Sequence, residues 1–187
     1  MKKTIFFSFL LLLCFSCFSQ EETDTLKTLD EVTVRAFEQN RHVKEIPASV
    51  NYISQSQLAR FNNTSILPAI NNTPGVRMEE RSPGSYRMNI RGSTLRSPFG
   101  VRNVKIYWND LPLTDPGGNT YLNQLGYYNF NSIEIIKGPG SSLYGAGSGG
   151  VMLINGFPDK WVQGTDVSFI TGSYGLRNIN AQVRFGQ

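Results

Sequence analysis

Three kinds of side chain in this 187-residue chain have the chemistry to act on a ligand: one histidine, a pair of adjacent carboxylates, and serines set among glycines. His42 is the sole histidine, and proton transfer or metal binding near neutral pH would ordinarily run through such a residue. It stands in a polar stretch with no partner at fixed spacing and reads as a solvated linker residue. Glu79 and Glu80 are consecutive on a strand-like segment, so they point to opposite faces and cannot work as an acid/base pair. Ser141 and Ser142 lie in Gly138-Pro-Gly-Ser-Ser-Leu-Tyr-Gly-Ala-Gly-Ser-Gly-Gly150, which has neither a Gly-x-Ser-x-Gly elbow nor the Gly-Lys-Ser/Thr ending of a phosphate cradle. No catalytic residue, metal ligand or cofactor is assigned, and an enzyme is not expected. What remains is recognition. Arg77, Arg81, Arg87, Arg91, Arg96, Arg102 and Lys105 give the middle of the chain an excess of positive charge, which on residues alone reads as a solvated basic face.

The elements that must carry these residues begin with a leader. Residues 1–19 place Lys2 and Lys3 ahead of an apolar run from Ile5 to Phe18, the pattern of a secretory signal peptide and too short for a comfortable membrane span. Cleavage is expected after Ser19. The rival, lipidation at Cys17, is disfavoured by Cys14 and Phe15 before it. Both cysteines lie in this leader, so the mature chain would hold no disulfide and no thiolate site. Removing Lys2 and Lys3 leaves 16 basic against 14 acidic residues, a net +2, too little to favour nucleic acid as a partner. Residues 20–46 are mostly polar and are expected to be mobile. They hold one strand-like island, Leu29-Asp-Glu-Val-Thr-Val-Arg-Ala36, in which Val32 and Val34 alternate with polar neighbours. An extended segment without a partner of its own suits addition to the edge of another protein's sheet.

A compact domain is expected over 47–157. Strands are predicted over 48–53, 76–79, 86–90, 104–108, 133–137 and 151–154, with Ser54 capping a helix over 55–61 and Thr64 or Ser65 capping a second through Ile70. Residues 111–131 read as a long loop with one short helix. Few helices and several short strands indicate the α+β class with a small mixed sheet. Residues 165–187 alternate as an up-and-down hairpin around Gly172-Ser-Tyr-Gly175, the period of transmembrane barrel strands.

The stretch Ile133-Glu-Ile-Ile-Lys-Gly-Pro through Leu143-Tyr-Gly145 to Ile154 closely resembles the end of the plug domain of TonB-dependent outer-membrane receptors. Upstream, Glu45-Ile-Pro-Ala-Ser-Val50, Thr73-Pro-Gly-Val76, Asn89-Ile-Arg-Gly92 and Tyr107-Trp-Asn-Asp-Leu-Pro-Leu113 resemble the family's other plug signatures, in the same order. Leu153-Ile-Asn-Gly156 departs from the family's usual continuation. The resemblance covers 29–186 and implies an outer-membrane protein for uptake of a scarce nutrient, with the plug inside a barrel and the N-terminus in the periplasm. It implies that Glu31, Val32, Thr33 and Val34 form the TonB box, where TonB and its inner-membrane energising complex engage. It implies that Arg91 and Lys137 pair with glutamates on the barrel wall and lock the plug there. Lys137 stands where relatives carry arginine and lacks its bidentate fork. Ligand-facing loops would present Arg81, Tyr86, Arg96, Arg102 and Tyr121 to an anionic chelate. Residues 94–121 are most similar to ferric-citrate-type plugs, so a ferric siderophore or ferric citrate is the expected small-molecule substrate, with no feature of the chain excluding cobalamin or a glycan.

An open sheet edge cannot sit in hydrocarbon, and two strands cannot close a barrel. Transport therefore needs more strands than the hairpin supplies, and the chain is expected to be a fragment, a truncated product or part of a broken chain. The alternative is a barrel-less, soluble plug-like binding module in the periplasm or at the cell surface. A receptor that also signals to an anti-sigma regulator would need an N-terminal domain that residues 20–30 cannot supply.

Overall fold

The computed structural model describes residues 32–61, 64–93, 103–145, 147–158 and 162–186. In chain order, β1 (Thr33–Val34) pairs antiparallel with β2 (Arg41–His42) across a one-turn 3-10 helix, Ala36–Glu38. After a second such turn, Val43–Glu45, come β3 (Ser49–Ile53), α1 (Gln55–Ala59) and α2 (Leu67–Asn71). Then follow β4 (Val76–Ser82), β5 (Ser85–Ile90), β6 (Val104–Trp108) and β7 (Leu111–Pro112). Two 3-10 turns, Leu122–Gln124 and Tyr127–Asn129, lead into β8 (Ser132–Lys137), the short α3 (Ser141–Tyr144) and β9 (Gly150–Asn155). The hairpin is β10 (Gly164–Thr171) and β11 (Arg177–Arg184). Among the described residues, no helix is long and apolar enough to cross a membrane.

A five-stranded sheet in the order β3-β8-β9-β6-β7 organises the domain, mixed because β6 and β9 run parallel while the other pairs are antiparallel. The α+β class with a small mixed sheet is therefore the fold observed. Strand alternation sorts its side chains into two sets. Ile53, Val104, Ile106, Ile133, Ile135, Met152 and Ile154 join one apolar cluster with Ile70 of α2 and with Met78, Met88 and Ile90 of the β4–β5 pair. Ile136, Val151 and Leu153 face the other way and meet Val34, Ala36 and Ile46.

Local signals set the connections. Ser54 accepts the Gln57 N–H while Gln57 Oε1 accepts the Ser54 N–H, a reciprocal cap that starts α1. Pro68 fits the first turn of α2, where its missing N–H costs no helical bond. Asn71 clamps α2 to β4: its Oδ1 accepts the Met78 N–H at 2.7 Å and its Nδ2 donates to Met78 O at 3.0 Å. Gly150 has φ +145°, and a Cβ there would meet the Ile136 carbonyl oxygen, so only glycine lets β9 lie this close to β8.

Three expectations change. Residues 32–46, expected to be mobile, are folded onto the sheet's second face, because Val34, Ala36 and Ile46 find an apolar surface there. His42, read as a solvated linker residue, is half-buried and pairs in register with Thr33. Tyr86, expected in a ligand-facing loop, lies in β5, where alternation turns it inward with Met88 and Ile90.

Candidate functional site

The described part of the expected TonB box, Val32–Val34, is docked on the domain; Glu31 lies outside the described residues. Val32 and Thr33 are exposed, whereas Val34 is completely buried. The backbone that follows is gripped by side chains from the sheet. The Arg35 N–H donates to both oxygens of Glu134, 3.0 Å each, and the Phe37 N–H donates to the Tyr144 hydroxyl at 2.6 Å. Glu134 is 1% exposed; burial pushes its pKa up, opposed by the backbone donors, the Asn155 amide and the charge of Arg35. Tyr144 is fixed in turn, its ring edge-on to Tyr107 at 5.5 Å and its carbonyl accepting the Tyr107 hydroxyl at 3.1 Å. A cavity of about 420 Å³ opens beside the bend, lined by Arg35, Glu38, Tyr107, Asp110 and Leu153 among others.

Glu134 and Tyr144 were not singled out as functional in the sequence. A signal existed for Glu134: a carboxylate in the middle of Ile133-Glu-Ile-Ile136 cannot be buried without partners. Tyr144 gave none beyond its place in the Leu-Tyr-Gly motif.

Arg91 and Lys137, from distant parts of the chain, meet at one place. The Arg91 N–H bonds Gly75 O at 2.9 Å, and a Cβ on Gly75 would lie 3.9 Å from Arg91 Cγ and 4.0 Å from Lys137 Nζ. Lys137 Nζ donates to the Pro74 carbonyl. Burial, and then the charge of Arg91, hold the Lys137 ammonium below the usual lysine pKa. Arg91 also takes φ +52°, a left-handed backbone rare for a side chain of its size. Two cations therefore stand at one spot.

Of the expected ligand residues, Arg81, Tyr86 and Tyr121 lie among the described residues, each on a different element. Arg96 and Arg102 lie outside the described residues. Arg81 is exposed near the β4–β5 turn, and Tyr121 is exposed ahead of the Leu122–Gln124 turn. Tyr86 accepts a 2.7 Å hydrogen bond from the Tyr127 hydroxyl, and burial raises the pKa of both phenols. Glu79 and Glu80 are separated as expected: Glu79 pairs with Arg77 at 2.7 Å, and Glu80 accepts the Gly84 N–H. Among the described residues no cluster of three or more His, Cys, Asp or Glu could hold a metal.

The hairpin has two unlike faces. Cross-strand pairs Thr165–Val183, Val167–Ala181 and Phe169–Ile179 form one face, with Val167, Phe169, Ile179 and Val183 all exposed. The other carries Asp166–Gln182, Ser168–Asn180 and Ile170–Asn178, and Asp166 pairs with Arg184 at 2.5 Å. Gln182 and Arg184 on this side line a cavity of about 180 Å³ with Gln55, Asn129 and Asn131.

The family model of the TonB-dependent receptor plug domain matches residues 42–152, and the chain belongs to this family. The vitamin B12 transporter BtuB of Vibrio vulnificus (strain CMCP6) is 24% identical over 158 residues, covering 83% of this chain and 25% of the transporter. Among solved structures, the ferric-catecholate import receptor Fiu from E. coli K12 superposes with a TM-score of 0.55 at 22% identity, covering 76% of this chain and 19% of that receptor. FpvAI in its complex with pyocin S2 gives 0.61 at 16% identity, covering 80% and 19%. The chain thus spans about a quarter or less of the length of these relatives.

Proposed function

We propose that this chain is the plug portion, with the first barrel hairpin, of an outer-membrane receptor that takes up a scarce nutrient with energy supplied through TonB. The observation that carries the reading is the hairpin's division into an apolar exposed face and a polar face turned to the plug, which suits lipid on one side and a lumen on the other. The Arg91–Lys137 pair supports the plug's seat: two adjacent cations with depressed lysine basicity gain from facing barrel carboxylates. Val32–Val34 is the strand that TonB takes up by edge addition. The cargo is a ferric chelate, siderophore or citrate, received at outer loops through arginine; the import of ferric catecholate by one relative supports this class, and the vitamin B12 transport of another names its competitor. The plug binds and gates, and performs no covalent chemistry.

The test is expression with a closed barrel, membrane fractionation, and uptake of labelled ferric siderophore, ferric citrate and cobalamin with and without TonB. Outer-membrane partition and TonB-dependent uptake of a ferric chelate are expected. Cobalamin uptake alone would correct the cargo. A protein that stays soluble in the periplasm would sink the receptor reading in favour of a free-standing binding module. In the same assay, Lys137→Glu is expected to reduce uptake, since it sets like charges against the barrel wall.

A further inference from the structure

Residues 32–38 sit on an apolar sheet face but are held there by polar clasps. Glu134 occupies the centre of that face, between Tyr52 on β3 and Leu153 on β9. A carboxylate loses water when it is covered and recovers it when it is uncovered. When covered it is compensated by the Arg35 N–H at both oxygens and by Asn155 Nδ2 at 3.3 Å; when uncovered it is solvated. Neither state leaves it unpaired, as a contact that opens and recloses requires. The segment is also bent: Phe37 and Glu38 hold φ 62° and 57°, left-handed values that side-chain-bearing residues rarely adopt, so its backbone relaxes on release. The charged and titratable groups about the clasp are Arg35 and Glu38 on the segment, Tyr52 and Tyr107 on the sheet, Tyr144 on α3 and Asp110 at the cavity.

We propose that Glu134 is a latch: by gripping the backbone of Arg35 it keeps the strand Thr33–Val34 folded on the plug, and losing that grip frees residues 32–38 as one piece while the sheet beneath stays intact. The latch concerns this chain alone. That its opening serves strand addition by TonB rests on the function proposed above.

Amide hydrogen exchange, read by mass spectrometry on the full chain, tests it in two variants. Glu134→Ala deletes the acceptor. Arg35→Pro deletes the donor, and with it the Arg35 charge, from outside the sheet, at a φ of −91° that lies a little beyond the roughly −65 ± 15° proline prefers. Each is expected to speed exchange across 32–38 by about tenfold or more, with β8 and β9 keeping their protection. Unchanged or slower exchange in 32–38 overturns the latch, and so does a loss of protection that spreads through β8 and β9 in Arg35→Pro. Should Glu134→Ala fail to fold, Arg35→Pro decides alone. Binding of the TonB C-terminal domain to Glu134→Ala is measured in parallel. Faster exchange without tighter binding leaves the latch standing and sinks the strand-addition reading; unchanged exchange sinks the latch whatever TonB does.

Discussion

The two faces of the five-stranded sheet are built from the same strands and stabilised differently. The main face is dry: Ile53, Ile106, Ile133, Ile135, Met152 and Ile154 meet α2 and the β4–β5 pair with no carboxylate or basic side chain among the described residues of that cluster. The second face mixes Ile136, Val151 and Leu153 with Tyr52, Tyr107 and the carboxylate of Glu134, and it is covered by the segment from β1 to Ile46 together with Tyr144 of α3. Close-packed apolar contact is strong and indifferent to conditions, whereas a contact that depends on a buried acid is weaker and conditional. One face holds the domain together; the other stores a strand.

Damage to each face in turn should give unlike results. Ile135→Ala, on the interior strand β8 where Ile135 is fully buried in the dry face, is expected to cost about 2–5 kcal/mol of global stability by denaturant unfolding. A cost under about 1 kcal/mol would mean that this face is not what holds the domain. Val34→Asp buries an unpaired charge on the other side, and undocking is its cheapest relief. Cleavage by trypsin after Arg35 and Arg41 should rise by about tenfold, with global stability lowered by no more than about 1–2 kcal/mol. If the whole domain unfolds instead, the two faces are one cooperative unit.

A smaller effect comes from pH. Burial raises the pKa of Glu134, so the docked segment binds this proton more tightly than the released one does. Docking is therefore tightest below the ordinary glutamate pKa of about 4.3 and weakens as pH rises through the raised value. Protection factors of amides 32–38, corrected for intrinsic exchange, should fall over that window and become flat in Glu134→Gln. A rise with pH would contradict the assignment. Least of all, Arg77→Ala removes an exposed ion pair with Glu79 and should change stability by about 0.5 kcal/mol or less in thermal unfolding.

The hairpin adds a third kind of surface to the comparison. Its exposed Val167, Phe169, Ile179 and Val183 share one face, an arrangement that water does not favour and lipid does. The period-two reading of these residues was enough to see the pairing, because alternation is local and the turn residues Gly172 and Gly175 mark where it reverses. The core strands were legible for the same reason: Val104–Trp108 begins and ends where expected, and Ser54 caps the helix it was expected to cap.

Near neighbours along the chain set strand alternation, helix caps, Gly/Pro turns, and motifs in an order that named a family. Folding in three dimensions settled which edges meet and which polar atoms end up dry. It put β6 parallel to β9, turned Tyr86 inward, brought Arg91 to Lys137, and laid residues 32–46, which read as a polar tail, across an apolar face. Glu134 shows why. A carboxylate in a strand becomes a clasp only when the backbone of Arg35, 99 residues away in sequence, is delivered to it, and no local pattern encodes that meeting.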